Sequence, residues 1–318
     1  MKRKSIVILA AIVLSTSASA REYKAEFQNA VLNGAQTKIE FHFKDDLGYP
    51  VSNVQVKAFL GMNFRAKGYH IAGSTSSDGV FLLEGKTCGD EILLDASKEG
   101  YYSGHEKLSF SRMGQERDVV NGRWQPWGEK RTFVFRKICN PTSMVRSRTR
   151  NFHATKALNQ WIGYDLKECD FVAPHGKGKK VDFEVLINWN GKWLPEYNGM
   201  ALKVRFVDPY AGYYSVDTIR ESDFTGPYRA FETASYLKEA CFYEHIESDG
   251  RQDEKKFNRN QCWVVRSRCK VDEFGNLETA YYSVVNNIEF GCDMGGVALL
   301  CVLSDFNPTP NDTNLEAK

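Results

Sequence analysis

Residues 41–102 decide the reading. FHFKDDLGYPVSNVQVKAFL opens this stretch at Phe41, GSTSSDGVFLLEG follows from Gly73, and EILLDASKEGYY closes it at Tyr102. Apolar runs alternate here with turn chemistry. Asp46-Leu47-Gly48-Tyr49-Pro50 is a turn in which Gly48 can take positive φ and Pro50 opens the next strand. Ser77-Asp78-Gly79 is a hairpin signal between Ile71–Ser76 and Val80–Glu84. Gly100-Tyr101-Tyr102 closes a strand at Glu91–Ala96. Short strands at close intervals predict a β-sandwich.

Three motifs in this order carry a family resemblance. They are Asp46-x-Gly48-x-Pro50-Val51-x-Asn53-Val54-x-Val56, Thr75-x-x-Asp78-Gly79-x-Phe81, and Gly100-Tyr101. The stretch resembles the carboxypeptidase regulatory-like domain, a transthyretin-like sandwich attached to many secreted bacterial proteins. That likeness implies a scaffold with no catalytic set, over about a quarter of the chain. The closing run, Phe306-Asn307-Pro308-Thr309-Pro310-Asn311-Asp312-Thr313-Asn314-Leu315-Glu316, resembles the ending of an uncharacterised group of secreted bacterial proteins. It implies no activity.

The beginning of the sequence points to export. Lys2-Arg3-Lys4 precede an apolar run, Ser5–Leu14, and small residues end at Ala18-Ser19-Ala20. This is the pattern of a signal peptide covering residues 1–20, with a retained N-terminal anchor as the alternative. Periplasmic or extracellular residence follows, and no later run is long and apolar enough for a transmembrane helix. Removing Lys2, Arg3 and Lys4 turns 42 basic side chains into 39 against 40 acidic ones, a formal charge of −1. The slight basic excess therefore belongs to export, and nucleic acid is not an expected partner.

Eight cysteines in an exported chain favour disulfides over buried thiols. Spacing leaves the pairing open. Cys262 and Cys269 lie seven apart on one expected strand, which puts them on opposite faces. Zinc knuckles have no matching spacing.

Around residues 41–102 the chain reads as further strands. Glu22–Val31 and Thr37–Phe43 open the first domain, Leu108–Phe110 is read as an added strand, and Thr132–Lys137 ends it. The polar run Arg112–Lys130 holds Trp124-Gln125-Pro126-Trp127, expected to cover an open end or edge of the sandwich. Residues 138–150 read as a linker, initiated by Asn140-Pro141. Beyond it, Ala154–Ile162 is read as a short helix and Ala230–His245 as a longer one. Val181–Trp189, Leu202–Val207, Tyr213–Ile219, Gln261–Asp272, Leu277–Val285, Ile288–Phe290 and Val297–Leu303 are read as strands. The expected organisation is mainly β. A seven-to-eight-stranded sandwich spans residues 21–137, an antiparallel β-rich domain with one or two short helices spans 151–306, and an extended tail spans 307–318.

Chemistry is harder to find. The six histidines include no H-E-x-x-H or H-x-x-E-H spacing, and there is no G-x-S-x-G elbow. His175-Gly176-Lys177-Gly178-Lys179-Lys180 lacks phosphate-loop spacing and reads as a basic surface loop. Together with Arg146, Arg148 and Arg150 it could form an anion-binding face, although nothing in the sequence brings the two segments together. Neither a calcium loop nor a carboxylate pair is visible, so no cofactor or metal is expected.

Aromatic residues in loops offer the remaining signal. Trp124, Trp127, Trp189, Trp193, Tyr210 and Tyr213 are the candidate ligand-binding residues, because an exposed ring stacks on a sugar face. Core packing and strand faces are the competing use of the same rings. The expected function is a non-catalytic exported module of the bacterial envelope whose partner is a polysaccharide or another envelope protein. The alternative is a secreted hydrolase with its site in the C-terminal domain.

Overall fold

The computed structural model describes residues 25–62, 67–89, 91–112, 116–147, 150–190, 199–246 and 251–318. The expected signal peptide, Arg148, and Trp193 with the turn leading to it lie outside the described residues. The chain divides into two compact units. One comprises residues 1–138 with 220–223, the other residues 139–219 with 224–318. The expected linker thus belongs to the second unit from Cys139 onward.

The first unit opens with a helix, α1 (residues 25–33), where the sequence reading places a strand. Phe27, Ala30 and Val31 share one helical face and pack on the core. Gly34, at φ 83°, ends the helix, and its N–H donates to the Ala30 carbonyl at 2.8 Å. Strand β1 (Ala35–Lys44) then alternates buried and half-exposed residues along its length. It lies between β4 (Val80–Thr87), antiparallel, and β9 (Glu129–Val134), parallel. The two-residue strands β7 (Val119–Val120) and β8 (Arg123–Trp124) complete a five-stranded sheet A. Sheet B is four-stranded, in the order β3 (Tyr69–Ser74), β2 (Gln55–Leu60), β5 (Ile92–Ser97), β6 (Gly104–Leu108). Residues 220–223 adjoin β6, through a Gly104–Ser222 bridge and an N–H of His105 donating to the Glu221 carbonyl at 2.8 Å.

Both sheets contribute to one core. Ile39, Phe41 and Phe43 come from β1, Val56 and Ala58 from β2, and Leu94 from β5. The unit is a sandwich, as the sequence predicts, but its hairpin signal acts differently. Ser76 and Val80 close the Ser77-Asp78-Gly79 turn locally. However, β3 joins sheet B and β4 joins sheet A, so the turn is a corner between sheets. Gly79 has φ 72°, and a Cβ there would come 2.5 Å from the Phe43 carbonyl oxygen. Pro50 makes only an isolated bridge with Lys44, and the next strand starts at Gln55.

The second unit is built from two six-stranded sheets. Sheet C runs from β16 (Gly212–Asp217) through β19 (Gln261–Val271) and β20 (Leu277–Cys292) to β21 (Ala298–Phe306). On β21 it is finished by β10 (Val145–Arg146) and β11 (His153–Thr155). Sheet D has the order β13 (Asp170–Phe171), β12 (Trp161–Asp165), β14 (Phe183–Asn188), β15 (Gly199–Arg205), β17 (Glu239–Ile246), β18 (Gln252–Lys255). Both helices predicted for this half are replaced by strand. Ala154–Ile162 contains β11 and the start of β12, and Ala230–His245 contains most of β17. The apolar positions of the latter, Ala240 and Phe242, follow a two-residue period into the core.

Sheet C is buried on both faces. Trp263 and Val265 of β19 enter the core shared with sheet D. Cys262 and Val264 enter a second cluster with Tyr282, Val284, Ala230 and Leu315. This is why residues 262–267 are buried without alternation. The expected tail forms part of that cover: Asn307, Leu315, Glu316 and Ala317 are all buried.

No disulfide joins any pair of the eight cysteines, contrary to the expectation from cysteine count. Burial instead raises the thiol pKa of Cys169, Cys292 and Cys301, and pushes that of Cys269 up to about 11. A bulge between Ser267 and Lys270 breaks the parity that would separate Cys262 and Cys269, and Cys269 packs beside both core clusters.

Candidate functional site

The aromatic residues singled out by sequence are mostly structural. Trp124 is 1% exposed, and its indole N–H donates to the Thr87 carbonyl at 2.9 Å. Trp189 is 4% exposed within the core of the second unit. Neither ring offers a face to a ligand. Trp127 is half-buried with the Arg123 guanidinium 4.8 Å from its centre. Tyr210 is half-buried, and its hydroxyl donates to the Gly275 carbonyl at 2.8 Å. Of the candidates, Tyr213 lines a cavity.

That cavity is a cleft of about 580 Å³ in the second unit, within the usual range of about 300–1,000 Å³ for ligand sites. Its lining comes from both sheets. Tyr213 and Trp263 stack with ring centres 3.9 Å apart, and Phe242 and Phe257 lie 5.7 and 5.2 Å from Trp263. These four rings are nearly buried and form an apolar floor. Trp161 is more exposed and carries the Arg205 guanidinium 4.1 Å from its ring centre. Arg205 is held there by Glu184, at 2.6 Å.

Polar groups complete the lining. Ser215, Asn258 and Gln261 supply hydroxyl and amide groups. Lys203, Lys255 and Lys256 supply positive charge, and Glu239 is the one carboxylate of the lining. The backbone explains this mixture. Lys203 sits between buried Leu202 and Val204 on β15, and Gln261 opens β19 two residues before Trp263.

A second cavity of about 490 Å³ shares Lys256 and Phe257 with the first. Its polar centre is Glu289, whose Oε1 meets Arg259 at 2.9 Å, Arg150 at 3.4 Å and the Asn287 side-chain amide at 2.8 Å. Glu244, Phe152, Ile288 and Phe290 also line it.

The expected anion-binding face is not assembled. Arg146 pairs with Asp305 at 2.7 Å, and Arg150 lines the second cavity beside Glu289. In the basic loop, the N–H groups of Lys179 and Lys180 donate to Asp165, and that of Lys177 donates to Asp170. The chain's own carboxylates occupy the amides that a phosphate would need. Among the described residues, no three His, Cys, Asp or Glu side chains converge as a metal site requires.

Sequence reasoning missed Trp161, Lys203, Glu239, Phe242, Asn258, Gln261 and Trp263. Trp161 and Phe242 fell inside stretches read as helix. An alternation count across Trp161–Asp165 would have exposed the first as an outward residue of a strand.

No family model matches the chain. No curated protein matches it either. Among solved structures, 3-chlorocatechol 1,2-dioxygenase from Rhodococcus opacus 1CP is similar at 11% identity and a TM-score of 0.27. The match covers 33% of this chain and 61% of that enzyme, about three fifths of its length.

Proposed function

We propose that this chain is a non-catalytic, exported binding module of the bacterial envelope, and that its second unit holds a polysaccharide segment in the aromatic-floored cleft. One observation carries the reading: apolar rings and uncharged hydrogen-bonding groups share one lining. A sugar presents C–H faces to rings and hydroxyls to Ser215, Asn258 and Gln261. Export rests on the basic, apolar and small-residue succession of residues 1–20. The sandwich of the first unit fits the scaffold role that its family resemblance implies.

The hydrolase alternative has weaker support. Glycoside cleavage uses two carboxylates about 5–10 Å apart. The first cleft contributes Glu239 alone, and of the two glutamates of the second cavity, Glu244 and Glu289, the latter is engaged by two arginines.

The test is retention of residues 21–318 on insoluble polysaccharides and isolated envelopes. Retention that drops at least tenfold in Trp161→Ala and in Gln261→Ala supports the cleft. Absence of retention on every matrix sinks the reading, and release of reducing ends from a bound polymer would replace it with the hydrolase.

A further inference from the structure

We infer that the polysaccharide is acidic, and that its anionic groups are read by Arg150 and Arg259 in the second cavity. This inference rests on the polysaccharide reading above and adds the charge and extent of the ligand.

Continuity is the first ground. The two cavities share Lys256 and Phe257 in their linings, so they lie side by side, and a polymer longer than one cavity can reach both. Charge is the second. Lys203, Lys255, Lys256, Arg150 and Arg259 line the pair of cavities, against Glu239, Glu244 and Glu289. Five cations therefore face the three carboxylates of the lining and Glu254, which holds Lys256 at 2.5 Å, within a chain of 42 basic and 40 acidic side chains. The excess is local.

Geometry is the third. Glu289 is mostly buried and places the Arg150 and Arg259 side chains, which are 59% and 67% exposed, beside one another. One carboxylate takes one oxygen's worth of contact from each guanidinium. A guanidinium has five N–H donors, so most of each fork remains for a second anion. Asn287, also on Glu289, adds an amide that suits a sugar hydroxyl. A uronate carboxylate flanked by ring hydroxyls fits this set. Single-stranded nucleic acid is the competing polyanion and serves as a control polymer below.

The experiment compares polymers that differ only in charge. Binding of residues 21–318 is measured by affinity electrophoresis and calorimetry on polygalacturonate and alginate, on their neutral esters, and on a neutral glucan. The expected result is at least tenfold tighter binding of the acids, weakened by salt. Arg150→Gln with Arg259→Gln should remove that preference. Far-UV circular dichroism and a thermal melt check that the variant is folded; each Gln keeps an amide donor for Glu289, which Asn287 also serves. Equal binding of acids and esters, or a double variant that keeps the preference, overturns the inference and leaves the polysaccharide reading standing. Tighter binding of single-stranded DNA than of either acid also overturns it. No binding to any polymer removes the polysaccharide reading itself, and this inference with it.

Discussion

Arg268 sits on the bulge of β19 with φ 50°, a conformation uncommon for a residue with a Cβ. The bulge turns its guanidinium onto two buried carboxylates. Its Nη2 donates to Asp165 and to Asp182, each at 2.7 Å, and its Nε donates to Asp182 at 2.8 Å. The same two carboxylates accept backbone N–H groups of Leu166, Lys167, Glu168, Lys179 and Lys180. One ion cluster thus organises the loop between β12 and β14. Arg268→Ala strands two carboxylates in the core and should destabilise the second unit by about 3–5 kcal/mol in denaturant unfolding at pH 7. Restoring neutrality by adding Asp165→Asn and Asp182→Asn should recover part of that loss; no recovery would show that the guanidinium's packing on Phe306 matters more. Acid gives a second readout. Burial favours protonation of Asp165, but the N–H groups of Lys179, Lys180 and Glu168 and the charge of Arg268 outweigh it and hold its pKa below the ordinary value. A carboxylate lowered on folding stabilises above its unfolded pKa of about 3.9, and this contribution is lost as pH falls through the lower folded value. The stability gap between wild type and Asp165→Asn should therefore be constant from pH 7 to about 5 and close below about pH 4.

At the scale of elements, residues 307–318 act as a cover for sheet C. Leu315 enters the apolar cluster with Val264 and Tyr282. The Glu316 carboxylate accepts the N–H of Cys139 at 2.8 Å and that of Asn140 at 2.5 Å, so the end of the chain pins the start of the second unit. Leu315→Ala should cost about 2–5 kcal/mol, and Glu316→Ala should cost about 1–3 kcal/mol for two stranded donors, both measured by denaturant unfolding. Wild-type stability in either variant would mean that the cover is decorative. This docking was open in the sequence, where three Asn and two Pro permit an extended run but name no partner. Local chemistry was legible. Gly48 and Gly79 take the positive φ that their turns demand, and residues 273–276, left between two expected strands, join β19 to β20. Long-range choices were not. Alternation shows which residues of a strand face inward, but not which sheet the strand joins, so β3 and β4 read as a hairpin. Helix α1 read as a strand because a nine-residue apolar stripe supports either period. The strand β20, read as two pieces, is one 16-residue element whose bulge at Val285–Asn287 interrupts the pattern.

Across the whole molecule, the candidate site was illegible for the same reason. Trp161, Lys203, Phe242, Gln261 and Trp263 stand on four different strands, and only pairing registers collect them. The cores, in contrast, divide along the chain. The cluster built around Phe41, Phe43 and Phe133 shares no residue with the clusters of the second unit. Two cores with separate membership predict two calorimetric transitions rather than one. The assignment can be made by substitution. Phe43 is fully buried and stacks on Phe133 at 4.6 Å, so Phe43→Ala, at about 3–5 kcal/mol, should lower one transition by several degrees. Leu315→Ala should lower the other and leave the first in place. The measurement needs the full chain, because residues 220–223 pair with β6 while lying in sequence within the second unit, and a fragment ending at Ile138 would lack them. A single transition moved by both substitutions would show that the two cores unfold as one cooperative system. The cleft of the second unit would then report on the stability of the sandwich as well as on that of its own sheets.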